Sequence, residues 1–178
     1  MNTSPSESFT KEVIGEAFLV LLNEKSYDDI KVVEIVNKAG VSRSTFYRFF
    51  DKSSKKEILF EYILNLWKKY YEESKYKSNI EESILTLMNF NYDYKDIILV
   101  LNKAGLTHII YNLIFNMLDD DSLKTDEKII ISSLAGSIYG LVNYWIENDF
   151  NKTPKEIIEV FLKLQRNKEI NYEKDKRS

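Results

Sequence analysis

Residues Val32–Leu59 read VVEIVNKAGVSRSTFYRFFDKSSKKEIL. Val32, Ile35, Val36 and Ala39 recur at the spacing of one helical face, which predicts a short helix. Gly40 suits the left-handed conformation that ends a helix. Two residues on, Ser42 is a favourable N-cap for a second helix carrying Phe46, Phe49 and Phe50 on one side. Two short helices joined by so tight a turn form a helix-turn-helix pattern.

The two sides of that pattern differ. Ile35, Ala39, Val41, Phe46 and Phe50 form an inward set that a three-helix unit would bury. Arg43, Ser44, Thr45, Tyr47 and Arg48 have no core to face. A charged helix surface is ordinarily no more than solvated. Here a large aromatic sits on the polar side, and hydroxyls alternate with guanidinium groups, the mixture that grips phosphate oxygens and reads base edges. Between Lys31 and Lys56 seven lysines and arginines face only Glu34 and Asp51, a local charge of +5, whereas the whole chain carries −3. Nucleic-acid binding needs only such a local basic face, so double-stranded DNA is the expected partner.

Outward from this stretch the chain also reads as helix. Its 178 residues contain five glycines and two prolines, too few to punctuate an all-β protein, and 44% apolar residues are enough to build a core. Residues 1–8 are expected to be a loose polar tail. Ile14, Ala17, Phe18, Leu21 and Leu22 then mark one face of a first helix. Ser54 and Glu57 have capping-box spacing ahead of Ile58, Leu59, Tyr62, Ile63, Leu66, Trp67 and Tyr70, which predicts a fourth helix to about Tyr76. Ser78 and Glu81 repeat that spacing. Further helices are expected around Ile97–Leu101, over Leu106–Leu118 and over Lys124–Glu147. Thr153, Pro154 and Glu156 give a clear start to the last one, and residues 169–178 should fray. The fold class is all-α with about nine helices.

Other functions are poorly supplied. There is no cysteine and a single histidine, His108, so no metal or cofactor is expected. Asp119, Asp120 and Asp121 lack the spacing and glycine of a calcium loop. No catalytic cluster of acid and base groups is evident, which argues against an enzyme. No signal-peptide core and no uninterrupted apolar window of about 18 residues is found, so a cytoplasmic protein without membrane association is expected.

The stretch Val32–Leu59 resembles the DNA-binding signature of the TetR/AcrR family of bacterial transcriptional regulators. Ala39, Gly40, Val41, Ser42, Thr45, Tyr47 and Phe50 fall in family register, and the likeness runs from about Phe9 to Leu66. It implies a DNA-binding domain over 9–53, whose second motif helix enters the major groove of a palindromic operator, and a ligand-sensing and dimerisation domain over 54–168, joined by helix 54–76. Arg43 and Ser44 take base-facing positions, Thr45 and Tyr47 phosphate-contacting ones, and Lys31 lies near the backbone; Ser42 and Arg48 complete the set. Family members usually carry a lysine three residues after the phenylalanine. Here Ser53 holds that place, and Ile58 and Leu59 arrive two residues late, which leaves Lys52, Lys55 and Lys56 as alternative phosphate contacts.

Residues Leu134–Phe161, LAGSIYGLVNYWIENDFNKTPKEIIEVF, resemble a C-terminal domain of a subset of TetR-like regulators, whose last two long helices form a four-helix bundle in a homodimer. Ala135, Gly136 and Gly140 offer a flat surface for close approach, and Tyr144, Trp145, Ile157 and Phe161 are apolar anchors. The same stripe could instead be intrachain core. A pocket for a small-molecule effector is expected to use Trp67, Tyr70, Tyr71, Met88, Tyr94, His108, Tyr111 and Phe115, with ordinary core packing as the alternative. The function expected is that of a DNA-binding regulator acting as a repressor. A co-regulator of the same fold that reads a partner protein instead of a ligand is the alternative.

Overall fold

The computed structural model describes residues 5–50, 55–74, 80–118 and 124–163. These form nine helices with no strand among the described residues: α1 (Pro5–Glu24), α2 (Val32–Ala39), α3 (Arg43–Phe50), α4 (Lys55–Glu73), α5 (Ile80–Asp93), α6 (Lys95–Lys103), α7 (His108–Leu118), α8 (Thr125–Glu147) and α9 (residues 154–163). The all-α expectation is met. Helix α1 begins at Pro5, inside the stretch expected to be a loose tail, because proline's fixed φ and missing N–H suit a first turn. Lys52, Ser54, Tyr76, Ser78, Asp119 to Asp121 and the 169–178 tail lie outside the described residues.

Helix α1 is the spine of the N-terminal half. Ile14 and Phe18 are fully buried, and Leu21 and Leu22 nearly so, against Ile35 and Val36 of α2 and Ile58, Leu59 and Ile63 of α4. Fully burying side chains of this size stabilises by about 1.5–3 kcal/mol each relative to leaving them exposed. Gly15 lets α1 and α4 approach: an added Cβ would lie 2.5 Å from the Tyr62 ring. Two ion pairs run along the same seam, Lys11 to Glu61 at 2.5 Å and Lys69 to Glu12 at 2.7 Å.

In the C-terminal half, α8 packs its stripe of Ala135, Ile138, Val142, Trp145 and Ile146 inward, against a core that includes Ile109, Ile110, Leu113 and Ile114 of α7. The turn into α9 places Asp149 and Phe150 in the left-handed region, at φ 52° and 54°. Such a conformation costs a non-glycine residue roughly 1–2 kcal/mol. Phe150 is held there by packing 4.9 Å from the Trp145 ring, while Trp145 Nε1 donates to the Lys152 carbonyl at 3.0 Å. The Thr153 box forms as expected: Thr153 N–H donates to Glu156 Oε2 at 2.8 Å, and Glu156 N–H returns to Thr153 Oγ1 at 3.3 Å.

Candidate nucleic-acid interface

The α2–α3 turn takes its shape from a few hydrogen bonds. Glu34 reaches back to the Lys31 N–H at 2.9 Å to close the start of α2, and its other oxygen pairs with Lys25. These two donors hold the Glu34 carboxyl below its ordinary range. At the other end Gly40 adopts φ 67°, its N–H reaches the Asn37 carbonyl at 3.2 Å, and Val41 N–H reaches Val36 at 3.1 Å. Ser42 Oγ accepts from Thr45 N–H at 3.0 Å and lies within 3 Å of the Ser44 and Thr45 hydroxyls. It is the N-cap of α3, and its oxygen is already engaged.

From that start α3 divides cleanly. Phe46 and Phe50, each 2% exposed, sit 5.6 Å apart in the core. Arg43, Ser44, Tyr47 and Arg48 are exposed on the opposite side, with Thr45 half-buried at the flank. The Tyr47 ring meets Phe46 edge-on at 5.4 Å, and Arg48 lies 4.6 Å over the Phe49 ring. The outward aromatic and guanidinium are thus braced by the phenylalanines rather than waving in solvent. Lys31 is exposed at the N-terminus of α2.

Residues 14–62 match the family model for bacterial regulatory proteins of the tetR family, and residues 78–167 match that for the transcriptional regulator C-terminal region, TetR_C_8. The chain belongs to the TetR family of transcriptional regulators. No curated protein matches it individually. As a TetR-family regulator the protein is a DNA-binding factor, and both halves of it match regulator domains rather than an enzyme.

Of the lysines proposed for phosphate at α4, Lys56 is exposed, while Lys55 is occupied elsewhere. Lys55 Nζ donates to the carbonyls of Tyr27 at 2.6 Å and Ile30 at 3.0 Å, in the turn before α2. With two carbonyls already held inside the protein, the Lys55 ammonium keeps at most one donor for a phosphate.

The expected dimer surface splits in two. Ala135 and Trp145 are fully buried, and Ile157 and Phe161 are 5% and 7% exposed. These four belong to the chain's own core, because Trp145 stacks on Tyr92 at 5.7 Å and packs on Phe150. Gly136, Gly140 and Tyr144 do face outward, and an added Cβ at either glycine meets nothing within 4 Å. Sequence reasoning missed Ile129 and Ile130, 60% and 66% exposed, and Val160, 46% exposed. Ile129, Ser133, Gly136, Gly140 and Tyr144 follow i, i+4, i+7, i+11 and i+15, a second stripe that the helical period could have revealed. The hydroxyls of Ser133 and Ser137 bond back to the Ile129 and Ser133 carbonyls at 3.0 Å each, so the face is small and apolar. Two apolar stripes also explain why α8 is long and apolar enough to match a membrane span.

The expected effector set does not form one wall. Trp67, Tyr70 and Tyr94 gather around Phe90, with Trp67 5.4 Å and Tyr94 4.8 Å from it, while Tyr71 packs on Trp67 at 5.3 Å. Tyr111 packs instead with Phe115 and with Tyr139 of α8, at 6.2 and 5.3 Å. Met88 is fully buried. His108 lines a separate groove of about 290 Å³ with Lys56, Phe60 and Asn112, between α4 and α7. The rings pack on one another because edge-to-face contacts satisfy them better than open space does. Tyr70 donates to Asp93 at 2.6 Å, and burial together with that carboxylate pushes its phenol well above the ordinary range. Asn91, not singled out from sequence, is fully buried on α5. Its Nδ2 donates to the Leu87 carbonyl at 2.7 Å, and its Oδ1 has no partner among the described residues.

Proposed function

We propose that this TetR-family protein is a repressor that binds a palindromic operator as a homodimer, with α3 in the major groove of each half-site. The observation that carries the reading is the outward face of α3, where Arg43, Ser44, Tyr47 and Arg48 stand exposed over a buried phenylalanine backing. Arg43 offers paired donors to a guanine edge and Ser44 a short hydroxyl, while Thr45, Tyr47 and Arg48 hold the phosphodiester backbone. Lys31 and Lys56 flank them as backbone cations. Most of the affinity then comes from phosphate contacts and falls with salt.

The second copy docks on the open stripe of α8, where Gly136 and Gly140 permit close helix approach and Ile129, Ile130 and Tyr144 supply apolar area. A small-molecule effector that prefers one arrangement of the sensor helices shifts α4 and with it the separation of the two α3 helices.

Selection from a random DNA pool tests this reading. Enriched sequences should contain two inverted half-sites, bound by two chains; a pool that never departs from random composition would refute it.

A further inference from the structure

Lys55 ties two elements of the DNA-binding half together. Lys55 is the first residue of α4, and Tyr27 and Ile30 lie in the turn that leads from α1 into α2. Besides its two carbonyl acceptors, the ammonium stands 4.3 Å over the Tyr27 ring. Tyr27 in turn stacks on Phe18 of α1 at 6.0 Å, and Ile30 is 2% exposed. Carbonyls in a turn have no helical partner, and a charged donor makes the stronger kind of hydrogen bond to them. A second fixed point lies two turns along α4, where Tyr62 rests on Gly15.

We infer that Lys55 is a positioning residue for DNA binding: it fastens the α1–α2 turn to the start of α4, so that the α2–α3 unit keeps one attitude to the sensor helix. In a dimer this sets the distance between the two recognition helices, and the operator spacing that fits them. The inference rests on the dimeric operator reading given above. Loss of the ammonium leaves every DNA-facing side chain in place but lets the reading unit swivel.

The test uses full-length wild type, Lys55→Met and Lys55→Arg on operators whose half-sites are identical and whose spacing changes by single base pairs, across a salt series. Wild type should prefer one spacing, and Lys55→Met should lose about tenfold on that operator and bind the neighbouring spacings nearly as well. The slope of log affinity against log salt should stay as in wild type, because no phosphate contact has gone. Lys55→Arg, whose guanidinium still reaches both carbonyls, should restore the preference. Should Lys55→Met fail to fold, Lys55→Gln, which removes the ammonium and is too short to hold both carbonyls, carries the same expectation. Lys55→Met with wild-type spacing preference and a salt slope shallower by about one per half-site would overturn the inference and make Lys55 a phosphate contact. Wild type with no sequence preference would instead sink the operator reading itself.

Discussion

Tyr62 lies directly on the backbone of Gly15, close enough that a methyl group on Gly15 would stand 2.5 Å from the Cγ of the ring. The crossing of α1 and α4 depends on that missing side chain. Tyr62 is 6% exposed and α4 carries Ile58, Leu59 and Ile63 into the same core, so the ring has little room to retreat. Gly15→Ala should therefore destabilise by about 1–3 kcal/mol, the usual result of overpacking a filled site. Denaturant unfolding checks it; an unchanged midpoint would show that the helices slide apart without cost.

The two sides of α3 should respond differently. Arg43→Ala is expected to cost roughly 1–3 kcal/mol on the selected operator and little on random DNA, because its paired donors read a base. Tyr47→Phe removes a hydroxyl assigned to phosphate and should weaken both alike. Competition binding against random DNA separates them, and the reverse pattern would exchange the two roles.

Dimerisation and folding can be separated along α8. Gly140→Glu places a charge on the open stripe, where a Cβ meets nothing within 4 Å, and replacing glycine in a helix interior gains up to about 1 kcal/mol of helix propensity. It should yield folded monomers by sedimentation. Trp145→Ala should instead cost about 3–5 kcal/mol of folding stability, since Trp145 is fully buried within one chain. A folded monomer from the tryptophan variant would contradict this division.

Acid should loosen two helix starts. Glu34 is held below its ordinary value of 4.5 by the Lys25 ammonium and the Lys31 N–H, and Glu156 likewise by the N–H and hydroxyl of Thr153. With a folded value depressed below the unfolded one, their stabilisation is present above 4.5 and is lost as pH falls through the lowered value. Glutamine still accepts at both places but does not titrate. Thermal melts from neutrality to about pH 3 should show a smaller loss in a Glu34→Gln, Glu156→Gln double variant than in wild type; equal losses would place the acid sensitivity elsewhere.

The DNA-binding unit was readable from sequence because its signals are local. Gly40, Ser42 and the Phe46 and Phe50 spacing each act within one helical turn, and all form as read. The open stripe of α8 was not readable in the same way, because α8 is apolar on two faces and periodicity alone does not say which meets its own chain. Bulk misled the choice: Trp145 looked like an interface anchor, yet large rings are also what a core keeps, whereas the small residues Gly136 and Gly140 were left outside. The intrachain contact of Lys55 was hidden for a related reason. Its charge suggested phosphate, but the carbonyls of Tyr27 and Ile30, more than twenty residues away in sequence, claim it only once α4 has folded onto α1.

The most direct measurement is the binding of the purified chain to its selected operator and to a shuffled sequence across a salt series, with the mass of the complex recorded at each point. Two chains per operator, a log-linear fall of affinity with salt, and a preference for the operator that survives that fall are the results predicted for α3 reading bases while its flanks hold phosphates. Equal affinity for both sequences at every salt concentration would contradict it.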